Sequence, residues 1–370
     1  MTVVAGAGMA GLVAAARLRE LGHDVTLVEK GDRAGGSMLL SSGVIWRHRS
    51  LDDFHAECPG GDPTLQRLVV ERLDDSLDWL EHVAGPATRR ETGNERTVGR
   101  RFTTWRLTDA LVRAAGEPHL SQPLAELPES EAVVLCTGGF AARLARDRGL
   151  PLRASPWSDG DGLRLAKGLG AAVVGDLEEF YGRALPAPPA DIEDDWIRTT
   201  QLYGRFAHVV DDRGKPVFMG VASWSENDIV QVIARQPGGT SWYVIDSTTA
   251  VRLGLHDHWG VGDMIFYALE AGGEVRKGRT LDELGLGPLS SPKLATPGFF
   301  AVKVVAAVTH TMGGLRVDEG ARVLRGDGSP IDGLYAAGVD VGGVASGGYS
   351  SGLAQALVLG LTAAESIVSV

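Results

Sequence analysis

The chain has 370 residues, enough for two domains, and its 44% hydrophobic and 22% charged content excludes wholesale disorder and a fibrous protein. Lys and Arg number 36 against 47 Asp and Glu, a net charge of −11. An acidic chain with no basic stripe is a poor nucleic-acid binder. Glycine is the outlier: 50 of 370 residues, nearly twice the usual share of about 7%, with no collagen triplet period. Such an excess points to tight turns where backbone approaches a ligand. Cys58 and Cys136 form no CxxC or Cys/His cluster, so neither a metal site nor a disulfide framework is expected. No apolar run reaches about 18–20 residues. The first residues read as a strand rather than a signal peptide. These features predict a cytoplasmic protein with no membrane or nucleic-acid partner.

Residues 2–5 (Thr-Val-Val-Ala) suit a buried parallel strand. Gly6-Ala7-Gly8-Met9-Ala10-Gly11 follows, then helical spacing of Leu12, Ala15, Ala16, Leu18 and Leu21, closed by Gly22. A second strand, Asp24 to Val28, ends in Glu29. Strand, glycine turn, helix and strand with an acidic end form one dinucleotide-binding unit. Gly6 permits the turn, Gly8 lets backbone approach a pyrophosphate, and Gly11 lets the helix pack on the sheet. The amides around Met9 and Ala10, at the positive helix end, would receive the pyrophosphate. Glu29 is placed to accept from a ribose diol, and a carboxylate there favours a free 2′-hydroxyl. The plain alternative is a glycine turn with no nucleotide.

Lys30 leads to a second glycine pair, Gly35-Gly36-Ser37, and then to a Gly/Ser stretch with Ser41-Ser42-Gly43-Val44. Further on stand Thr137-Gly138-Gly139-Phe140 after an apolar strand, Asp159-Gly160-Asp161-Gly162, Thr309-His310-Thr311-Met312-Gly313-Gly314, and Gly333-Leu334-Tyr335-Ala336-Ala337-Gly338-Val339-Asp340. In this order the segments resemble the flavoproteins that share the fumarate reductase and 3-ketosteroid Δ1-dehydrogenase fold. The resemblance implies an α/β protein: a Rossmann-like, glutathione-reductase-type FAD-binding domain, with a smaller α+β cap domain inserted. It implies non-covalent FAD, held by the residues named above together with Gly352 and Leu353. Two positions depart from the family pattern. Val44 stands where a second loop glycine is usual, and Asp340 where glutamate is frequent.

The remaining elements follow in order. Residues 64–84 read as an amphipathic helix and Trp105 to Ala115 as another. Residues 199–296 are expected to form the cap, leaving 1–198 plus 297–370 as the FAD-binding domain. Within the cap, Tyr203 to Phe218 reads as strand–turn–strand about Asp211-Asp212-Arg213-Gly214, Thr240 to Asp246 as a strand, and Asp263 to Gly272 as a helix. No second GxGxxG unit appears, so the electron donor or acceptor is a separate, unidentified partner.

The resemblance implies hydride exchange with a C–C bond whose neighbouring carbonyl spreads charge, on a small-molecule substrate. Three side chains are candidates for the accompanying proton and carbonyl chemistry. His310 matches the family histidine that meets substrate; the alternative is a structural histidine. Arg252 loosely matches the proton-delivering arginine of fumarate reductases; the alternative is a surface arginine. Tyr349, with Gly352 after it, resembles the tyrosine and glycine that polarise a ketone in the steroid enzymes; the alternative is a tyrosine packed beside the flavin. No arginine lies near Tyr349, which speaks against a dicarboxylate. Glu226 is a loose match to a family glutamate. α,β-Dehydrogenation, enone reduction, an O2-using oxidase or desaturase, a fumarate-reductase-like reductase and a non-catalytic flavin carrier all remain open at this stage.

Overall fold

In the computed structural model, the residues described are 1–128, 132–189, 195–254 and 261–369. Their contacts divide the chain into two units. The first comprises Met1–Arg143, Ala154–Phe180 and His310–Val370, and the second Leu144–Arg153 and Tyr181–Thr309. The expected cap, 199–296, falls within the longer piece of the second unit. Both units mix helices and strands.

The first unit is organised by a five-stranded sheet. Its strands are β1 (Thr2–Ala5), β2 (Val25–Val28), β3 (Ala132–Leu135), β4 (Arg322–Leu324) and β5 (Pro330–Ala336), in the spatial order β4-β5-β3-β1-β2. The sequences Thr-Val-Val-Ala and Ala-Val-Val-Leu are buried at every residue, as expected for parallel strands covered on both faces. Only β4 runs antiparallel, as an edge strand on β5. The register sets Ala5 beside Val28 and Leu135, and Leu135 beside Ala336. Gly6, Glu29, Cys136–Gly139 and Ala337–Gly338 therefore leave the sheet at one edge, the carboxyl ends of its strands. In open parallel sheets this is where ligands bind.

Four helices support that edge. They are α1 (Met9–Glu20), α2 (Pro63–Ala84), α3 (Thr104–Ala115) and α4 (Gly352–Val368). Helix α2 buries Leu65, Val69, Leu73, Leu77 and Leu80, one stripe at a spacing of three to four. Asp62 caps it by accepting from Thr64 N–H at 2.8 Å, with Pro63 as the first helical residue. Helices α1 and α4 cross closely because small residues meet: a Cβ at Gly360 would stand 2.8 Å from the Ala10 carbonyl oxygen. Arg17 and Glu365 join the same two helices at 3.1 Å. The expected loop around Val44 is in part a strand, Val44–His48, paired antiparallel with Thr97–Arg101. Val44 begins that two-stranded ladder opposite Arg101, where a β-branched residue is favoured over glycine.

The second unit is built on a 13-residue strand, Phe299–Thr311, whose last two residues belong to the first unit. It pairs with Thr240–Asp246, Val275–Gly278 and Phe180–Pro186, and Thr240–Asp246 pairs in turn with His208–Val210. Trp242, Val244, Phe299, Ala301, Leu284 and Leu286 make its core. The expected strand–turn–strand over 203–218 is shorter than the sequence suggested. The Asp211 carboxylate closes the turn on Arg213 and Lys215 N–H, but the second arm pairs through a single bridge at Pro216, which has no N–H to extend a ladder. The 263–272 segment is helical as Val261–Glu270, ending before Gly272 at φ +82°. Among the described residues no helix is long and apolar enough to cross a membrane.

Candidate functional site

The first turn is shaped by three glycines in three different ways. Gly6 has φ +105°, and a Cβ there would meet the Cys136 carbonyl oxygen at 2.1 Å. A Cβ at Gly11 would meet the Gly6 carbonyl oxygen at 1.8 Å, so helix and strand touch backbone to backbone. Gly8 is the exception: nothing lies within 4 Å of its Cβ position. Gly8 caps α1 without any side-chain acceptor, and Met9, Ala10 and Gly11 behind it are buried. First-turn amides have no intrahelical partner and need an acceptor from elsewhere. An open approach over Gly8 to buried amides at the positive helix end fits a phosphate group.

The neighbouring acid is pre-arranged. Glu29 is buried, and its two carboxylate oxygens accept from Ala7 N–H at 2.7 Å and Gly31 N–H at 2.6 Å. Each oxygen keeps a further lone pair for a diol. The second glycine pair abuts the first turn: Gly35 N–H donates to the Ala7 carbonyl at 2.8 Å, and a Cβ at Gly36 would lie 3.3 Å from the Gly8 Cα. Ser37 Oγ accepts from Ser155 N–H at 2.9 Å. Lys30 bridges Asp159 at 2.8 Å and Asp161 at 3.0 Å, so two residues expected to hold cofactor hold each other. Ser41 Oγ bonds within its own turn, Ser42 accepts through its carbonyl from Arg101, and Gly43, at φ +70°, faces the Phe102 carbonyl.

At the end of β3 the turn Thr137-Gly138-Gly139 is gripped by Asp340. This carboxylate is 1% exposed and accepts from the Thr137 N–H, from the Thr137 hydroxyl at 2.9 Å and from Gly139 N–H at 3.3 Å. Burial pushes its protonation upward, while those donors pull it down. The Thr137 hydroxyl also accepts from Gly162 N–H at 3.1 Å. Gln355 on α4 donates to the carbonyls of Gly338 and Val341. A Cβ at Gly338 would lie 2.9 Å from the Ala10 methyl.

The carboxy-terminal loop brings side chains together instead. The His310 ring lies 3.3–3.4 Å from the Cβ position of Gly352, at the start of α4. Ser351 caps that helix through Ala354 N–H, leaving Gly352 and Leu353 in its first turn. Burial pushes the His310 imidazole down to about 4, so it is neutral at pH 7. The Tyr349 ring meets Trp46 edge-on at 5.4 Å, and its carbonyl lies 3.4 Å from His48 Nε2. Glu179, which the sequence reading missed, accepts from Gly347 N–H at 2.8 Å and through its carbonyl from Met312 N–H at 3.1 Å. Burial raises its carboxyl, and Asp176 adds to that. His310 thus meets Gly352, while the Tyr349 ring, three residues before Gly352 in the chain, packs on Trp46; both lie within the first unit. Arg252 falls in the helix Ser247–Gly254 of the second unit, and its side chain is outside the described residues. Glu226 is buried at φ +60°, accepting from Gly204 and Arg205 N–H. Among the described residues no group of three His, Cys, Asp or Glu could hold a metal ion.

A family model described as "FAD binding domain" matches residues 2–126 and 122–352. The chain is 24% identical over 418 residues to a fumarate reductase (cytochrome) of Shewanella frigidimarina, covering 92% of this chain and 72% of that protein. It is 23% identical to a fumarate reductase of Schizosaccharomyces pombe, covering 92% and 84%. Among solved structures, the 3-ketosteroid-Δ4-(5α)-dehydrogenase of Rhodococcus jostii RHA1 superposes with a TM-score of 0.72 at 19% identity, covering 99% of this chain and 96% of that one.

Proposed function

The chain belongs to the FAD binding domain family, and from that premise we propose an FAD-dependent oxidoreductase that exchanges hydride with a C–C bond beside a carbonyl. The substrate in this reading is small and neutral or singly charged. The observation that carries the cofactor assignment is the run of buried first-turn amides behind an open Gly8, with Glu29 already oriented at the next strand. Gly6 to Gly11, Glu29, Gly35 to Ser37, Ser41 to Gly43, Thr137 to Gly139, Gly338, Gly352 and Leu353 would hold FAD without a covalent link. Asp340 and the Lys30–Asp161 pair would fix the turns around it. The smaller α+β unit, including 199–296, is assigned the substrate cap, and a separate electron partner completes the cycle.

Bound FAD supplies hydride transfer at its isoalloxazine ring. The protein's part is to orient substrate and to polarise it. The Tyr349 hydroxyl is assigned as donor to the substrate carbonyl, with Trp46 holding the ring. Neutral His310 is assigned a hydrogen bond to substrate, since an uncharged imidazole can donate or accept. The stretch Gly347 to Leu353 carries no arginine, so a ketone or enone is favoured over a dicarboxylate. Purified protein is expected to show an oxidised-flavin spectrum and to release FAD on denaturation. Tyr349→Phe is expected to lower enone or ketone turnover about 100-fold at unchanged FAD content. Undiminished turnover would remove Tyr349 from the mechanism, and a colourless protein that takes up no FAD would remove the whole reading.

A further inference from the structure

Trp157 has no part in the assignments above. It is 39% exposed, and it stands in a turn fastened to the acidic end of β2. A Cβ on Gly31 would lie 2.2 Å from its Nε1 and 2.4 Å from its Cδ1, so the pyrrole edge of the indole sits on Gly31. The same Cβ position is 3.1 Å from Glu29 Oε1. The turn itself is well fixed. Ser155 N–H donates to Ser37, Trp157 N–H to Ser155 Oγ, Asp159 N–H to the Trp157 carbonyl at 3.0 Å, and Lys30 ties Asp159 and Asp161 to the residue after Glu29. A large aromatic ring is thus pinned by one edge beside the carboxylate that would accept a ribose diol. A nucleobase is carried on the carbon next to that diol, so it emerges within reach of the indole. Purines stack on aromatic faces irrespective of sequence or substituent.

We infer that Trp157 is the adenine-stacking wall of the cofactor site, selecting ligands that carry a purine. This rests on the reading of Glu29 as the ribose acceptor. The test compares wild type, Trp157→Leu and Trp157→Phe as flavin-free full-length protein, titrated with FAD and with ADP, with thermal unfolding followed alongside. Leucine still covers Gly31 but offers no π face, whereas phenylalanine offers one.

Trp157→Leu is expected to weaken both FAD and ADP about tenfold while Trp157→Phe retains most of the affinity. ADP is expected to quench wild-type tryptophan emission, and the quenching to vanish in Trp157→Phe. Undiminished ADP affinity in Trp157→Leu, equal losses in both variants, or wild-type emission that ADP leaves unquenched would each overturn the inference. Because the emission measurement needs only the wild type, an unfolded Leu variant does not rescue it. Wild-type protein that binds neither FAD nor ADP would instead overturn the flavoprotein reading on which the inference rests.

Discussion

Two glycine-rich regions of the first unit are shaped differently, one by backbone alone and the other by backbone together with distant side chains. Around Gly6–Gly11 the shape comes from backbone meeting backbone, with no room for a Cβ at Gly6 or Gly11. Around Gly347–Gly352 backbone also meets backbone, a Cβ at Gly348 standing 1.9 Å from the Glu57 carbonyl oxygen, but side chains that arrive from far along the chain join it: Trp46 against Tyr349, Glu179 on Gly347, His310 against Gly352. The first region offers amides and a helix end, which suit a generic phosphate. The second adds a phenol, an imidazole and a carboxylate. In the proposed reading the first region serves the cofactor alone, whereas the second serves the substrate through Tyr349 and His310 and the cofactor through Gly352 and Leu353.

The largest expected effect tests the backbone-built region. Gly11→Ala must separate helix and strand, and a loss of about 3 kcal/mol or more in urea unfolding is expected. Gly8→Ala, with φ −79° and open space, should unfold within about 0.5 kcal/mol of wild type yet bind FAD more weakly. A destabilised Gly8→Ala or an unaffected Gly11→Ala would erase the distinction between a glycine kept for packing and one kept for a ligand. Next comes Asp340→Ala, which strips an acceptor from two backbone N–H groups. About 3 kcal/mol of destabilisation is expected by denaturant titration, and a value near zero would show that water replaces the carboxylate.

A pH-dependent effect sharpens the side-chain-built region. The folded protein binds the His310 proton only near pH 4, whereas the unfolded chain binds it near 6.5. Between those values the unfolded state carries more protons, so stability should fall as pH drops from about 6.5 towards 4 and level off below. The contribution is of the order of 3 kcal/mol. His310→Gln should flatten that part of the stability profile. An identical slope in the variant would place the titration elsewhere.

The contrast also explains what could be read from the sequence. Gly6, Gly8, Gly11 and Glu29 lie in one contiguous unit, and each role follows from local geometry that a short window contains. The parallel strands were legible as short apolar runs. The long strand Phe299–Thr311 was missed, although its Phe-Phe-Ala-Val-Lys-Val-Val start is rich in β-formers. The side-chain-built region was legible only as candidate residues. Nothing in a linear reading brings Trp46 beside Tyr349 or Glu179 beside Gly347, because those contacts span the fold. Val44 looked like a lost loop glycine until its partner Arg101 showed it beginning a strand. Asp340 was legible as a candidate ligand group, but its hold on the Thr137–Gly139 turn was not.

The meeting of α1 and α4 joins Arg17 to Glu365 across 348 residues of chain. The two helices therefore dock only after the chain between them has been synthesised, and long-range closures of this kind are slow to form. The glycine turn at the head of α1 leans on that docking through Ala10, Gly338 and Gly360. Made long before its docking partner, it would mature late, so the nascent chain should acquire flavin only after α4 has docked. Pulse-labelled hydrogen exchange during refolding would time this: protection of the α1 amides should appear together with that of α4.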